Sequence, residues 1–234
     1  MNILILNGGK SLRMGGNHKC LTIVNKKTIF QHELDWLNKY FIRYQLLVSL
    51  GRNKDLEPFF DKMKVKYICE KKQLFDGGAI KIAFNEFNKT GNREDPLFAI
   101  NGDLIPLFNP CILIENGLKR LKNNKKLFGI IVIIPFQSHL GILKTEGNRE
   151  FEKISSFNEK PIFSDLFSSC GIYLFSNKVR DVLPDVGGIA SKVITKHYDR
   201  FETYKISSNE WVALETQKDI LEAERLLLEK KGIN

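Results

Sequence analysis

Asn2-Ile3-Leu4-Ile5-Leu6-Asn7-Gly8-Gly9-Lys10-Ser11-Leu12-Arg13-Met14-Gly15-Gly16, with Lys19 three residues on, is the stretch on which the reading of this chain turns. Residues 2–7 enclose a short, continuous apolar run, 3–6, which predicts a buried first strand. A glycine-rich segment follows at once. At the carboxyl end of a strand, such a segment lets backbone N–H groups approach phosphate oxygens, and cationic side chains neutralise them. The spacing is neither that of a P-loop, since Gly9-Lys10-Ser11 is preceded by Leu4 where that motif's first glycine would stand, nor Gly-x-Gly-x-x-Gly. A turn that uses glycine to reach positive φ is the plainer alternative. Arg13 and Lys19 on either side of the glycines favour phosphate.

Outward from this stretch, β-branched runs alternate with helical-period segments through the first half, the pattern of a parallel α/β sheet. Strands are expected over 45–50, 65–69 and 97–101, and helices over 28–41, 53–63, 78–88 and 110–122. In the first helix Ile29, Phe30, Leu34, Leu37 and Phe41 recur at helical spacing. The pattern then changes. Segments 127–134, 139–145, 150–157 and 170–175 are strand-like with short loops between them, so part of the second half is expected to be antiparallel. Helices are expected over 187–199 and 217–231, the latter with Ile220, Ala223, Leu226 and Leu227 on one face.

A chain of 234 residues, 43% hydrophobic and 27% charged, is ordinary globular material able to bury a substantial core. One domain, 1–234, is expected. Lys and Arg outnumber Asp and Glu by 36 to 27, a +9 balance that predicts affinity for polyanions without naming one. The basic run Lys119 to Lys126 has no interleaved aromatics, so it is read as a solvated helix end and loop, and no nucleic-acid partner is expected. Cys20, Cys69, Cys111 and Cys170 lie far apart, which argues against structural zinc or a redox pair. The apolar start is too short for a signal peptide, and the longest apolar run, 127–136, is too short to cross a bilayer. A cytoplasmic protein with reduced thiols and no membrane partner is expected.

The glycine-rich segment resembles the signature loop of the sugar nucleotidyltransferases, Gly-Gly-x-x-x-Arg-(Leu/Met) followed by a Lys. Four further blocks agree in order. Gln73-Leu74-Phe75-Asp76-Gly77-Gly78-Ala79-Ile80-Lys81 is similar to that family's Leu-Gly-Thr-(Ala/Gly)-Gly-Ala turn, which faces the base and ribose. Ile100-Asn101-Gly102-Asp103 resembles its Asn-Gly-Asp, which holds Mg²⁺. Phe157-Asn158-Glu159-Lys160-Pro161 resembles Phe-x-Glu-Lys-Pro, and Cys170-Gly171-Ile172-Tyr173 the Gly-Ile-Tyr strand beside it.

The resemblance implies an α/β fold of the nucleotidyltransferase (GT-A-like) type, a Rossmann-like three-layer mixed sheet. It implies a nucleotide-binding half, 1–125, and a sugar-phosphate-binding half, 126–234. Arg13, Lys19 and Asp103 would be catalytic; Leu6, Asn7, Gly8, Gly9, Asp76, Gly77, Gly78, Asn101 and Gly102 would bind nucleotide; Glu159, Lys160 and Gly171 would bind the sugar phosphate. Asp103, after an apolar run and a glycine, would also project at the sheet's carboxyl edge, where a hard oxygen suits Mg²⁺ bound with triphosphate. The implied activity moves a nucleoside monophosphate from a nucleoside triphosphate to a sugar 1-phosphate. The block around Gly77-Gly78 favours GTP and a manno-configured hexose or heptose 1-phosphate, with another base, a phosphorylated non-sugar acceptor or a weak binding homologue as alternatives.

Two departures bear on this. The family's late Trp-x-Asp carries a second metal ligand, but here Trp211-Val212-Ala213 puts alanine at that position. Glu215, two residues on, would share Ala213's face if the strand continued, which makes it the candidate replacement, with Glu210 as another. Asp76 stands where the family has Thr. His18 is expected to be an exposed loop residue and His32 structural. With no appended repeat to build larger assemblies, a monomer or homodimer is expected.

Overall fold

The computed structural model describes residues 1–9, 18–89, 95–148 and 150–232. The first half runs β1 (Asn2–Leu6), β2 (Ile23–Val24), β3 (Lys27–Thr28), α1 (Ile29–Tyr40), β4 (Gln45–Ser49), α2 (Glu57–Met63), β5 (Tyr67–Ile68), α3 (Phe75–Asn88), β6 (Leu97–Asn101), β7 (Leu104–Pro106) and α4 (Cys111–Asn123). The second half runs β8 (Gly129–Gln137), β9 (Ile142–Glu146), β10 (Lys153–Asn158), β11 (Ile162–Phe175), α5 (Ile189–Lys192), β12 (Phe201–Lys205), β13 (Trp211–Ala213) and α6 (Gln217–Lys231).

A seven-stranded sheet in the order β12-β8-β11-β6-β1-β4-β5 draws strands from both halves. The apolar run that opens the chain forms its heart: β1 is parallel to β4 on one side and β6 on the other. Ile3, Leu4 and Ile5 are fully buried, because each alternate residue meets a helical layer. Ile3 and Ile5 join the side built with α1, α2 and α4. Leu4 joins the opposite side, with α3 and α5. The fold is therefore the expected three-layer mixed α/β arrangement. A third apolar cluster seats α6 on β7, β13 and the β2–β3 hairpin through Val24, Ile105, Val212, Leu214, Ile220 and Ala223.

β11 is antiparallel to both β6 and β8, as the change of pattern in the second half predicts. It is much longer than the expected 170–175 segment, and its register slips between Ser169 and Tyr173, where Gly171 has φ +76°. Before that slip β11 pairs with the outer part of β8; after it, it enters the core beside β6. One expectation needs correction. The helix expected over 187–199 is only α5, followed by 3₁₀ turns at 194–196 and 198–200, where β-branched Val193-Ile194-Thr195 disfavours a continuous helix. The sequence reading does not cover 201–205, which forms β12, an edge strand parallel to β8. Among the described residues, no helix is long and apolar enough to cross a membrane.

Candidate active site

Register brings the carboxyl ends of three strands level: Leu6 pairs with Ser49 of β4 and Asn101 of β6. β1 connects to β4 on one side and the chain later returns to β6 on the other, which makes this the switch point where open α/β sheets hold ligands. A cleft of about 280 Å³ opens there. Leu6, Asn7, Gly8 and Gly9 from the first loop line it, together with Lys19, Asp76, Asn101, Gly102 and Asp103. Arg13 lies outside the described residues.

Two close backbone contacts shape the floor. A Cβ on Gly51, at φ +57°, would stand 2.8 Å from the Gly8 Cα, so the two glycines pack directly on each other. A Cβ on Gly102 would overlap the Asn7 carboxamide. That carboxamide is buried, and neither its oxygen nor its nitrogen has a hydrogen-bond partner among the described residues. The Asn7 N–H donates to Ser49 O at 2.7 Å and the Gly102 N–H to Leu6 O at 3.0 Å, locking the first loop to both neighbouring strands.

Lys19 sits on the short 3₁₀ turn at 19–21, and its Nζ donates to Asp103 Oδ2 at 2.7 Å. Both side chains are partly exposed to the cleft. His18, beside Lys19, is not the exposed loop residue expected: its ring is largely buried, with Nε2 2.6 Å from Asp55 Oδ2. Near the ion pair lies Glu33, wholly buried on α1, with neither carboxyl oxygen hydrogen-bonded among the described residues. Burial first, and then the charge of Asp103, push its pKa well above the usual carboxylate range. Burial, joined by Glu33, likewise pushes the Cys20 thiol up to about 12, which leaves it unreactive.

At the other end of the cleft stand Glu70, Gln73, Phe75 and Asp76. Glu70 Oε2 accepts from the Leu74 N–H at 2.9 Å and Oε1 from Ser49 Oγ at 3.3 Å. Asp76 Oδ1 accepts from the N–H groups of Gly77 and Ile189, at 2.8 and 2.9 Å, tying α3 to the start of α5.

Several expected residues lie elsewhere. Gly77 and Gly78 are not on a turn facing the cleft but in the first turn of α3, which starts earlier than expected, and they are buried against the 184–189 segment. Added Cβ atoms would meet Gly187 O at 2.6 Å and Asp185 O at 2.7 Å, so close helix packing is what demands glycine there. Glu159 and Lys160 are exposed on the turn between β10 and β11, with Lys160 at φ +47°, and do not line the cleft. Gly171 makes the bulge and a close approach at once: its Cβ would stand 2.5 Å from Asn101 Nδ2, a cleft residue.

Ala213 pairs with Leu104, and the next residue, Leu214, donates its N–H to Asp103 O at 2.8 Å, so the Trp211 segment does run beside Asp103. Glu215 is not among the described residues that line the cleft. The strand ends at Ala213, so two-residue alternation no longer applies, and the Glu215 N–H bonds to Asp219 in the cap of α6. Glu210 is likewise used locally, accepting from the Ser207 N–H. Among the described residues, no group of three or more His, Cys, Asp or Glu could hold a metal ion. Mg²⁺ is commonly bound through one or two carboxylates plus substrate phosphates. Asp103 fits an ion that arrives with a triphosphate; the donor set does not fit a preformed protein cage.

Sequence reasoning missed Ser49, Gly51, Glu70 and Phe75. The signal was weakest for Gly51, whose role depends on a contact 43 residues back along the chain, and strongest for Phe75, which stands where the Leu-Gly-Thr pattern has its glycine.

The family model for the MobA-like NTP transferase domain matches residues 3–125. The chain belongs to that family. It is 26% identical over 196 residues to the bifunctional protein GlmU of Methanococcus maripaludis strain C7, an alignment covering 80% of this chain and 43% of that protein. The GlmU of Methanococcus vannielii is 24% identical over the same length. The chain thus spans less than half the length of these relatives. Among solved structures, HddC from Yersinia pseudotuberculosis matches with a TM-score of 0.70 at 20% identity, over 97% of this chain and 99% of that one. A putative glucose-1-phosphate thymidylyltransferase from Bacillus anthracis, in complex with a sucrose, matches with a TM-score of 0.66 at 18% identity, over 97% and 94%. These likenesses carry the fold, and the family model makes the chain a nucleotidyltransferase.

Proposed function

We propose that the chain transfers a nucleoside monophosphate, with GTP as the favoured donor, to the phosphate of a manno-configured hexose or heptose 1-phosphate, releasing pyrophosphate. The observation that carries this reading is the Lys19–Asp103 pair at the carboxyl edge of the sheet, beside the Gly8-Gly9 backbone. A phosphate oxygen of the acceptor attacks the α-phosphorus in line. A new P–O bond forms, the bond from the α-phosphorus to the α–β bridging oxygen breaks, and pyrophosphate leaves with the electron pair. The nucleophile is already ionised, so no general base is required; catalysis is alignment and charge neutralisation.

Lys19 is the cation placed to neutralise the α-phosphate and the leaving group, with Arg13 as the second. Gly8 and Gly9 admit the phosphates to the backbone. Asp103 is the residue that would hold Mg²⁺, whose chemistry is to screen the phosphate charge. At the far end, the carboxylates of Asp76 and Glu70 suit the N–H edge of guanine, and the HddC structure solved with GMP-PN supports that base. Glu159 and Lys160 would meet the acceptor from the second half, in one domain working as a monomer or homodimer.

A panel of the common triphosphates against sugar 1-phosphates, with Mg²⁺ and a pyrophosphate readout, tests this reading. Release with GTP and a manno-configured acceptor is expected. Ala213 favours a second reading, a sugar-nucleotide-binding homologue, and nucleotide binding without turnover across the panel would establish it instead.

A further inference from the structure

Phe75 has φ +61°, a left-handed backbone that a bulky aromatic side chain rarely adopts. Such strain persists only where the surroundings over-determine it, and it collects at functional sites. The surroundings here do so on both sides. The Leu74 N–H is held by Glu70, Leu74 O accepts from the Gly187 N–H at 2.9 Å, and the Asp76 carboxylate is fastened to Gly77 and Ile189. Leu74 itself is buried, whereas Phe75 is 52% exposed and lines the cleft. The strain therefore purchases no burial for the ring; it leaves the ring half-exposed in the cleft wall beside Glu70 on the β4 side of β1, whereas Lys19 is held by Asp103 on the β6 side.

We propose that Phe75 is a stacking platform for the nucleobase of the bound triphosphate. This rests on the function proposed above and assigns a residue that the motif reading left without a role. A cleft with a cation on one side and an exposed ring on the other complements a ligand with polyanionic and planar ends. Every base has a π-face, so the ring supplies affinity for any nucleoside triphosphate, and Asp76 and Glu70 beside it supply the choice among bases.

The test is calorimetric titration of the full chain with the four common nucleoside triphosphates and with inorganic tripolyphosphate, which has no base. Phe75→Ala is expected to bind the nucleoside triphosphates about tenfold more weakly while binding tripolyphosphate as wild type does. Phe75→Trp is expected to retain nucleotide affinity. Phe75→Gly relieves the positive φ, so it is expected to melt at or above the wild-type temperature and still lose the same affinity. That opposition of stability and binding is what a merely structural ring would not produce. Unchanged nucleoside triphosphate binding in Phe75→Ala, or an equal loss of tripolyphosphate, overturns the stacking role and leaves the proposed function standing. A wild-type protein that binds none of the triphosphates overturns both.

Discussion

The cleft and the antiparallel arm are built on opposite terms. Around the cleft, Gly8 lies on Gly51, Gly102 on Asn7 and Gly171 on Asn101, all closer than a methyl group allows. In the arm, β9 and β10 pair with each other and bury neither face: Phe157 is 57% and Ile154 63% exposed. A lone two-stranded hairpin is marginal in water. The first region is fixed by direct backbone contact and carries a strained aromatic, Phe75; the second carries Glu159 and Lys160 on an exposed turn. On the proposed function, nucleotide geometry would be preorganised in one half and acceptor geometry left to exposed side chains in the other.

Substitutions can break this contrast. Gly102→Ala should have the largest effect on stability, because the new Cβ falls on Asn7 and also meets Ile5. Overpacking of this kind costs about 1–3 kcal/mol, so thermal melting should drop by roughly 5 °C or more. An unchanged melting temperature would show that the floor yields.

Glu33→Leu should go the other way. Its folded pKa is raised, so the folded state holds the proton more tightly than the unfolded one; the penalty is absent below the ordinary glutamate value of 4.5 and grows as pH rises above it. The variant should therefore gain about 1–3 kcal/mol at neutral pH, with the advantage shrinking toward pH 4. Melting curves at pH 4, 6 and 8 check the sign.

In the arm, Lys160→Ala should leave melting unchanged and raise KM for the sugar phosphate about tenfold, with KM for the triphosphate unaffected, as expected for one lost charge-assisted contact. A rise in both constants would deny the division of labour. Ile154→Ser should be the mildest, within about 0.5 kcal/mol by chemical denaturation, since the side chain is largely in solvent.

Much of the cleft was legible because its signals are local. The run 2–7 and the segment 97–101 are apolar enough to be central strands, and Asn101-Gly102-Asp103 follows directly. What depends on distant chain was not. Gly77 and Gly78 were assigned to the nucleotide, yet they answer to carbonyls of Gly187 and Asp185. Glu215 was assigned by strand alternation that ends two residues too soon. Glu33 did leave a trace: it lies four residues from both Ile29 and Leu37, on the apolar face of α1, where a carboxyl is out of place.

The most direct measurement is pyrophosphate release by wild type and Asp103→Asn with GTP, Mg²⁺ and mannose 1-phosphate or a manno-configured heptose 1-phosphate. Release by wild type, reduced at least about a hundredfold in a variant that melts at the same temperature, is the predicted result. Equal release by the two proteins would contradict the account.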